Sequence, residues 1–211
     1  WDVNVEGLRN VLECSKGLGL RRFVFASSVA ACGFPRPGTA LDETSPPDGD
    51  HVYARTKAVG EAMVREYEAS FPSTIVRFAA LFSDWCEYPP LFMFLETWLS
   101  SAWNGRILGG RGQSAIPYLH VDDLTLFFLA LLDRLDDVRP GQVLQASPDA
   151  CVSHQQLFDE ATLLGRGRRA RAIHMPRRLC GPGMWALDLA GRLIGSRPFE
   201  RPWMARYIDK A

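Results

Sequence analysis

One alternation of patterns limits what this chain can fold into. An apolar run at residues 23–26 leads into a stretch rich in proline and glycine, a helical pattern between Tyr53 and Pro72, and a second apolar run at residues 74–78. The first run has too few polar positions for a half-exposed strand and predicts a strand that is covered on both faces. Strand, helix and strand in this order form a βαβ unit, which requires a parallel sheet. The predicted fold class is therefore α/β.

Further helices and strands flank this unit. Residues 2–16 repeat apolar residues at helical spacing and predict a helix. Residues 119–121 predict a short strand, with Asp122 or Asp123 capping a helix over residues 124–135. The remaining predicted elements are a strand at residues 142–146, a helix capped by Ser153 and ending at Leu164, and a helix between Pro176 and Ile194.

The composition excludes several classes of function. The formal net charge of the 211 residues is zero, so no general basic field attracts nucleic acid or an acidic membrane. The five cysteines are odd in number and lack a CxxC pair, which favours reduced thiols and a cytoplasmic location over disulfides or a zinc site. The apolar runs are too short for a membrane span, and no secretory leader is recognisable. The first residue is Trp1, which indicates a fragment.

Tyr53 and Lys57 open the central helical pattern one turn apart on the same face, so the lysine ammonium can lie close to the phenol. A phenol ordinarily titrates near pH 10, too high for an efficient general base at neutral pH. A fixed positive charge favours the phenolate. Only three of the 24 basic residues are lysines, which makes a lysine at this place informative. On spacing alone, the pair is equally compatible with an ordinary surface contact.

A serine pair, Ser27 and Ser28, ends the first buried strand. Ligands of open parallel sheets bind at the carboxyl ends of the strands, which is where this pair stands. The chain at this point resembles the extended short-chain dehydrogenase/reductase family, also called the NAD-dependent epimerase/dehydratase family. The resemblance extends to about residue 146 and is carried by motifs at residues 4–12, 23–28, 53–57, 76–78 and 118–124, in the order of the family.

The resemblance implies the C-terminal part of a Rossmann-like doubly wound parallel sheet, with an interleaved smaller substrate-binding lobe. Residues 1–83 would form the second half of the dinucleotide-binding domain. Residues 84–211 would be mainly the lobe, with about residues 119–146 returning to the sheet. The family's glycine-rich turn for the cofactor pyrophosphate is absent, and residues 109–112 do not replace it, because no buried strand leads in and no helix follows. The edge of the strand at residues 23–26 is then expected to be unpaired.

The family also implies roles for individual residues. Tyr53 would be the catalytic acid/base, Lys57 would favour its phenolate form and bond the nicotinamide ribose, and Ser28 would donate to the same substrate oxygen. Phe78 would lie where the backbone passes the nicotinamide. Asn4 matches a position near the active site, and a purely structural role is equally compatible with its place before a helix. The expected cofactor is NAD or NADP.

The expected substrate follows from an omission. Sugar-nucleotide members commonly carry polar residues where this chain has Ala80 and Ile116, and a diphosphate requires charged or polar donors. We therefore expect hydride transfer at a secondary alcohol or ketone of a small, apolar molecule. One alternative is a nucleotide-sugar epimerase or dehydratase of the same family, and a second is a non-catalytic binding protein that retains the fold. The expected partner is a small-molecule substrate, without nucleic acid or a membrane span, and a homodimer is compatible with the sequence.

Four remaining features complete the expectations. The aromatic residues between positions 85 and 103 are expected to be mainly core, the alternative being that a few line an apolar pocket. His51 is expected to be solvated, the alternative being that it contacts the site from the loop. His120 is expected to be a hydrogen-bonded neighbour in a strand. The polar, kinked residues 197–203 are interpreted as a pocket rim, with Arg201 facing an anion.

Overall fold

A computed structural model describes residues 1–35, 39–193, 195 and 202–210 of the chain. Its helices are α1 (Glu6–Ser15), α2 (Val52–Glu66), α3 (Pro89–Leu99), α4 (Val121–Asp133), α5 (His154–Arg166) and α6 (Arg177–Leu193). Its strands are β1 (Phe23–Ser28), β2 (Ser73–Phe78), β3 (Ala80–Phe82), β4 (Ile107–Gly109), β5 (Ala115–Ile116), β6 (Tyr118–His120), β7 (Val143–Ala146), β8 (Val152–Ser153) and β9 (Ile173–Met175). Short 3-10 helices are formed at Val29–Ala31, Leu135–Asp137 and Pro202–Tyr207.

The chain divides into two compact units. The first contains Trp1–Leu81 and Tyr118–Asp149, and the second contains Phe82–Pro117 and the described residues from Ala150 onward. The chain therefore leaves the first unit within β3 and returns to it at β6.

The first unit contains a parallel sheet in the order β1-β2-β7. The central strand, β2, is buried from Ser73 to Arg77, as expected for a strand that is covered on both faces. Successive residues point to opposite faces, so Ile75 packs with Phe25 in one core cluster and Val76 packs in another. Since α2 connects β1 to β2, the predicted βαβ unit is confirmed.

A glycine allows α2 to pack closely on its neighbours. A Cβ atom at Gly60 would lie 2.6 Å from Cζ of Phe25 and 3.1 Å from Cδ2 of Leu8. The helix thus approaches β1 and α1 more closely than any larger residue would permit. Helix α1 itself begins at Glu6, later than predicted, because residues 2–5 form turns.

Strand β1 lies at one end of the sheet. Among the described residues it pairs only with β2, so its other edge is open, as predicted. The register places Ser28 beside Phe78, and Phe78 beside Ala146. The carboxyl ends of all three strands therefore share one edge of the sheet.

One prediction about a helix start needs correction. The side chain of His120, and not Asp122 or Asp123, caps α4, because its Nδ1 accepts from the backbone N–H of Asp122 over 3.3 Å. His120 ends β6, so its predicted place at a strand is correct. Strand β4 leads into the glycine-rich residues 109–112, but only Leu108 of its three residues is buried. As predicted, these glycines are not followed by a helix, and β5 comes next.

The second unit has its own core, in which Trp98, Leu108 and Phe158 are buried. Strands β4 and β9 pair in parallel, and β5 and β8 pair antiparallel. Helix α5 begins with a capping box of Ser153 and Gln156, which confirms the predicted cap.

Candidate active site

Ser28 stands at the carboxyl edge of the sheet, half-buried at the end of β1. Its Oγ accepts from the backbone N–H of Ala30 over 3.1 Å and lies 3.5 Å from the carbonyl oxygen of Phe78, to which it donates weakly. The first contact caps the 3-10 helix Val29–Ala31. The hydroxyl is thus held between its own turn and the neighbouring strand.

Tyr53 lies in the first turn of α2 and is 46% exposed. The helix is capped by His51, whose Nδ1 accepts from the backbone N–H of Ala54 over 3.2 Å. The rings of His51 and Tyr53 are stacked, with centroids 6.2 Å apart and planes at 6°. His51 is half-buried, so the prediction of a solvated position is wrong, and its ring supports one face of the phenol.

Lys57 lies one turn after Tyr53, as predicted. Its Nζ donates to the carbonyl oxygen of Ala26 over 2.7 Å. The ammonium lies 5.7 Å from the centroid of the Tyr53 ring and 5.4 Å from that of Phe25. Burial lowers the pKa of the lysine ammonium below its ordinary value. The ammonium is therefore held beside the Tyr53 ring and is bonded to β1, the strand that ends at Ser28.

Asn4 precedes α1, and its side chain contacts α2, the helix that carries Tyr53 and Lys57. Its Nδ2 donates to Oγ1 of Thr56 over 3.1 Å, and that hydroxyl donates to the backbone carbonyl of Tyr53 over 2.8 Å. Thr56 is buried. Asn4 thus contacts the turn between Tyr53 and Lys57 through Thr56, a residue that the sequence did not single out.

The loop from β1 to α2 is anchored at three described points. Gly33 N–H donates to Oδ1 of Asp48 over 2.8 Å, and Gly49 N–H donates to the carbonyl oxygen of Ala31 over 2.9 Å. The third point is the carbonyl oxygen of Ser45, which accepts a hydrogen bond from the buried Arg77 on β2. The loop is therefore fastened next to the end of β1 and the start of α2.

The structure brings the predicted site residues together in two pairs. Ser28 contacts Phe78, and Tyr53 lies beside Lys57, while Asn4 is connected to the helix of the second pair. Within the described part of the chain, no hydrogen bond joins the side chains of Ser28, Tyr53 and Lys57 to one another. The arrangement places a phenol beside a cation that is bonded to β1, and a hydroxyl at the carboxyl end of the same strand.

The second unit differs from one expectation, and another falls outside the described residues. Trp98 is buried, but Trp85, Phe92 and Trp103 are 86%, 50% and 78% exposed, so the expectation that the aromatic segment is mainly core is wrong. The predicted rim falls largely on residues 197–201, outside the described residues, and Arg201 with it. Ile116, where sugar-nucleotide members commonly have a polar residue, lies opposite Val152 in the antiparallel pair of β5 and β8.

Some expected absences can be compared with the described residues. All five cysteines are free thiols. No group of three or more metal-ligating side chains is found among the residues described. Over the same residues, none of the helices has the length and apolar character needed to cross a membrane.

Comparison with known proteins adds sequence and fold relationships. The sequence model of the NAD dependent epimerase/dehydratase family matches residues 1–146. An N-acetyl-alpha-D-glucosaminyl-diphospho-ditrans,octacis-undecaprenol 4-epimerase of Escherichia coli O157:H7 is 34% identical over 88 residues, 40% of this chain and 26% of that protein. The sterol demethylase protein B of Methylococcus capsulatus is 35% identical over 94 residues, 43% of this chain and 29% of that protein.

A solved structure has the same fold over most of the chain. The UDP-glucuronic acid 4-epimerase of Bacillus cereus, in complex with UDP-glucuronic acid and NAD, matches with a TM-score of 0.70 and 19% identity, over 83% of this chain and 55% of that one. The chain therefore spans about half the length of this structure, and less than a third of each curated relative named above.

Proposed function

Because the chain belongs to the NAD-dependent epimerase/dehydratase family, we propose that it carries the acid/base half of the active site of a nucleotide-sugar epimerase or dehydratase. The family match and the undecaprenol-linked sugar 4-epimerase of Escherichia coli favour this alternative over the apolar substrate expected from the sequence. The Bacillus cereus enzyme supports the fold. The specific reaction that we propose is epimerisation, in which a hydride leaves the sugar and returns to it.

One observation carries this proposal. Tyr53 and Lys57 lie on one face of α2, and the lysine binds Ala26 on the strand that ends at Ser28. A surface pair would leave the ammonium in water, whereas this one is half-buried and has a lowered pKa. The phenol is exposed to an incoming molecule, and the cation that would favour its phenolate form is fixed.

The residues have distinct roles in the proposed reaction. Tyr53 removes the proton from a substrate hydroxyl while the carbon loses its hydride, and returns the proton when the hydride is returned. Ser28 donates to the same oxygen and orients it. Lys57 stabilises the phenolate by its charge. In an epimerase the sugar undergoes no net oxidation, because the hydride that it loses is returned to it.

The residues present fit one end of an NAD or NADP molecule. One of the three N–H groups of Lys57 donates to Ala26, which leaves two for ribose hydroxyls. The backbone of Phe78 would face the nicotinamide. When bound, the nicotinamide accepts and returns a hydride. The other end is not matched, because none of the described strands leads through a glycine-rich turn into a helix that would receive the pyrophosphate.

A second candidate function is oxidation or reduction of an apolar secondary alcohol or ketone. Ile116 offers no donor to a diphosphate, and a sterol demethylase protein B is among the relatives. The same three residues would then perform a single hydride transfer with a net change in cofactor oxidation. A non-catalytic binding protein with this fold is the third candidate.

Product analysis of the full-length protein separates these candidates. Conversion of a UDP-sugar to its 4-epimer without a net change in nicotinamide absorbance supports the epimerase. A stoichiometric absorbance change with an apolar ketone, and no turnover of sugar nucleotides, supports the reductase instead. Absence of both, with cofactor binding intact, supports the binding protein.

A further inference from the structure

Two charged residues are buried inside the first unit. Glu61 on α2 is 0% exposed and Arg77 on β2 is 2% exposed. Arg77 Nε donates to Oε1 of Glu61 over 2.9 Å, and Arg77 Nη2 donates to Oε2 over 2.8 Å. This bidentate contact raises the pKa of the guanidinium above its ordinary value. The guanidinium therefore stays charged although it is buried.

The pair has further partners on two other segments. The Ser27 hydroxyl donates to Oε1 of Glu61 over 2.6 Å. Arg77 Nη1 donates to the carbonyl oxygen of Ser45 over 2.8 Å. The cluster Ser27–Glu61–Arg77–Ser45 thus connects β1, α2, β2 and the loop between β1 and α2.

Stability alone does not explain such a pair. The desolvation of two ions offsets much of their attraction, and well-packed apolar residues of similar volume often stabilise a fold equally well. Apolar residues would, however, make no directed bonds to a strand hydroxyl and a loop carbonyl. What distinguishes the pair is the geometry that it imposes on four segments.

On the two strands, the cluster fixes the residues next to the proposed site. Ser27 precedes Ser28, and Arg77 precedes Phe78. Neighbouring strand residues point to opposite faces, so holding the first of each pair inward sets the direction of the second. The register contact between Ser28 and Phe78 comes directly after the two residues that the cluster holds.

On α2 and on the loop between β1 and α2, the cluster also contacts residues close to the proposed site. Glu61 lies one turn beyond Lys57, on the same side of α2. Its contacts hold the helix against β1, where the lysine reaches Ala26. The bond from Arg77 to Ser45 holds the loop that ends at the start of α2.

We infer that Glu61 and Arg77 are positioning residues of the proposed reaction. They hold Ser28, Lys57 and Phe78 in the relative placement that hydride transfer requires, without contacting substrate or cofactor. This inference rests on the proposed function, since it concerns the same site.

An apolar replacement of the cluster tests this role. The triple variant Ser27→Ala, Glu61→Met and Arg77→Met leaves no buried charge or donor unpaired. In the full-length protein, kcat is expected to fall about a hundredfold, the loss that a small misplacement of reacting groups produces. The fall in kcat should exceed the accompanying rise in the KM for the cofactor. Phe71→Leu, a change at a buried core residue two positions before β2, serves as a control for a general loss of stability. It should retain kcat.

A second measurement uses the 211-residue chain and needs no activity. With only three lysines, ε-13C-lysine labelling gives few signals, and Lys57→Met assigns one of them. In the wild-type chain, Lys57 is expected to titrate below its ordinary pKa. In the triple variant the titration should move toward that ordinary value. If the triple variant does not fold, Ser27→Ala alone should move the titration in the same direction by a smaller amount.

The outcomes separate the two claims. A folded triple variant with unchanged kcat and an unchanged Lys57 titration overturns the positioning role. A full-length wild-type protein without hydride transfer overturns the proposed function, and the lysine titration then still decides whether the cluster positions Lys57. A parallel loss of kcat in Phe71→Leu would show that the effect is one of stability alone and would also overturn the inference.

Discussion

The ammonium of Lys57 lies 2.7 Å from the carbonyl oxygen of Ala26, so the helix of the proposed acid/base is bonded to the edge strand of the sheet. Ala26 is two residues before Ser28. A single contact therefore joins the cation beside the Tyr53 ring to the strand that carries the serine. It also fills an acceptor near the end of an otherwise open strand edge.

The burial of Lys57 predicts a pH dependence of stability. Its pKa is lowered in the folded chain, whereas the unfolded lysine keeps the model-peptide value of 10.5. Between these two values the unfolded state binds more protons, so the free energy of unfolding should rise with pH toward 10.5 and lose that gain as the pH falls through the folded pKa.

Urea unfolding between pH 8 and 10.5 checks this. The difference between wild type and Lys57→Met should grow in favour of the wild type as the pH rises. Lys16→Met, which removes an exposed lysine, is the control. A constant difference between wild type and Lys57→Met would show that the lysine is solvated.

His154 predicts a loss of stability in mild acid. Burial beside the Phe94 ring, with centroids 4.6 Å apart, lowers the pKa of the imidazole to about 4, and Asp209 opposes this only partly. The unfolded state gains the proton near pH 6.5, so stability falls as the pH decreases from about 6.5 to about 4. From pH 7.5 to pH 5 the loss should be about 2 kcal/mol.

A neutral replacement identifies the histidine responsible. His154→Gln should remove most of this pH dependence in urea unfolding, whereas His174→Gln, at an exposed position, should retain it. Equal pH dependence in wild type and His154→Gln would contradict the assignment.

Substitution of Gly49 tests how closely the loop between β1 and α2 packs against α2. A Cβ atom there would lie 2.6 Å from Cβ of Ala54 and 2.8 Å from the carbonyl oxygen of Ala30. Gly49→Ala should therefore destabilise the chain by about 1–3 kcal/mol. Gly7→Ala, in a helix with nothing closer than 3.8 Å, is the matched control and should be neutral or stabilise by about 0.4–1 kcal/mol. Thermal unfolding of both variants compares them, and equal effects would refute close packing at Gly49.

Weak cofactor binding by the 211-residue chain is a further prediction. The described residues provide Lys57 and the backbone near Phe78 for one end of NAD(P)H, without a glycine-rich turn for the pyrophosphate. Isothermal titration calorimetry should detect little or no binding at micromolar concentrations of NADH or NADPH. A micromolar dissociation constant would mean that other residues hold the diphosphate.

The local part of this fold could be predicted from sequence. The apolar run ending at Ser28, the helix from Tyr53 and the next apolar run determine a βαβ unit, because each pattern has its own period. The pairing of Tyr53 with Lys57 follows from helical spacing, and so was predictable before any contact was known.

The remaining features depend on tertiary contacts. Histidine is uncommon as a helix cap, so the caps at His51 and His120 were missed in favour of aspartate and solvent. The exposure of Trp85 cannot be read from an apolar segment, because hydrophobic residues also occur at the surface. One sequence feature pointed to a buried ion pair: Arg77 is a charged residue in a strand that was predicted to be buried. Such a residue requires a partner, but the sequence spacing did not identify Glu61 as that partner.

The central claim is that Tyr53 transfers the proton that accompanies hydride transfer. Its most direct measurement is the single-turnover rate of nicotinamide reduction or sugar epimerisation by the full-length Tyr53→Phe variant, at saturating cofactor and substrate. Loss of general acid/base catalysis predicts a decrease of about 10²–10⁴-fold with cofactor affinity retained. A rate equal to that of the wild type would contradict the account.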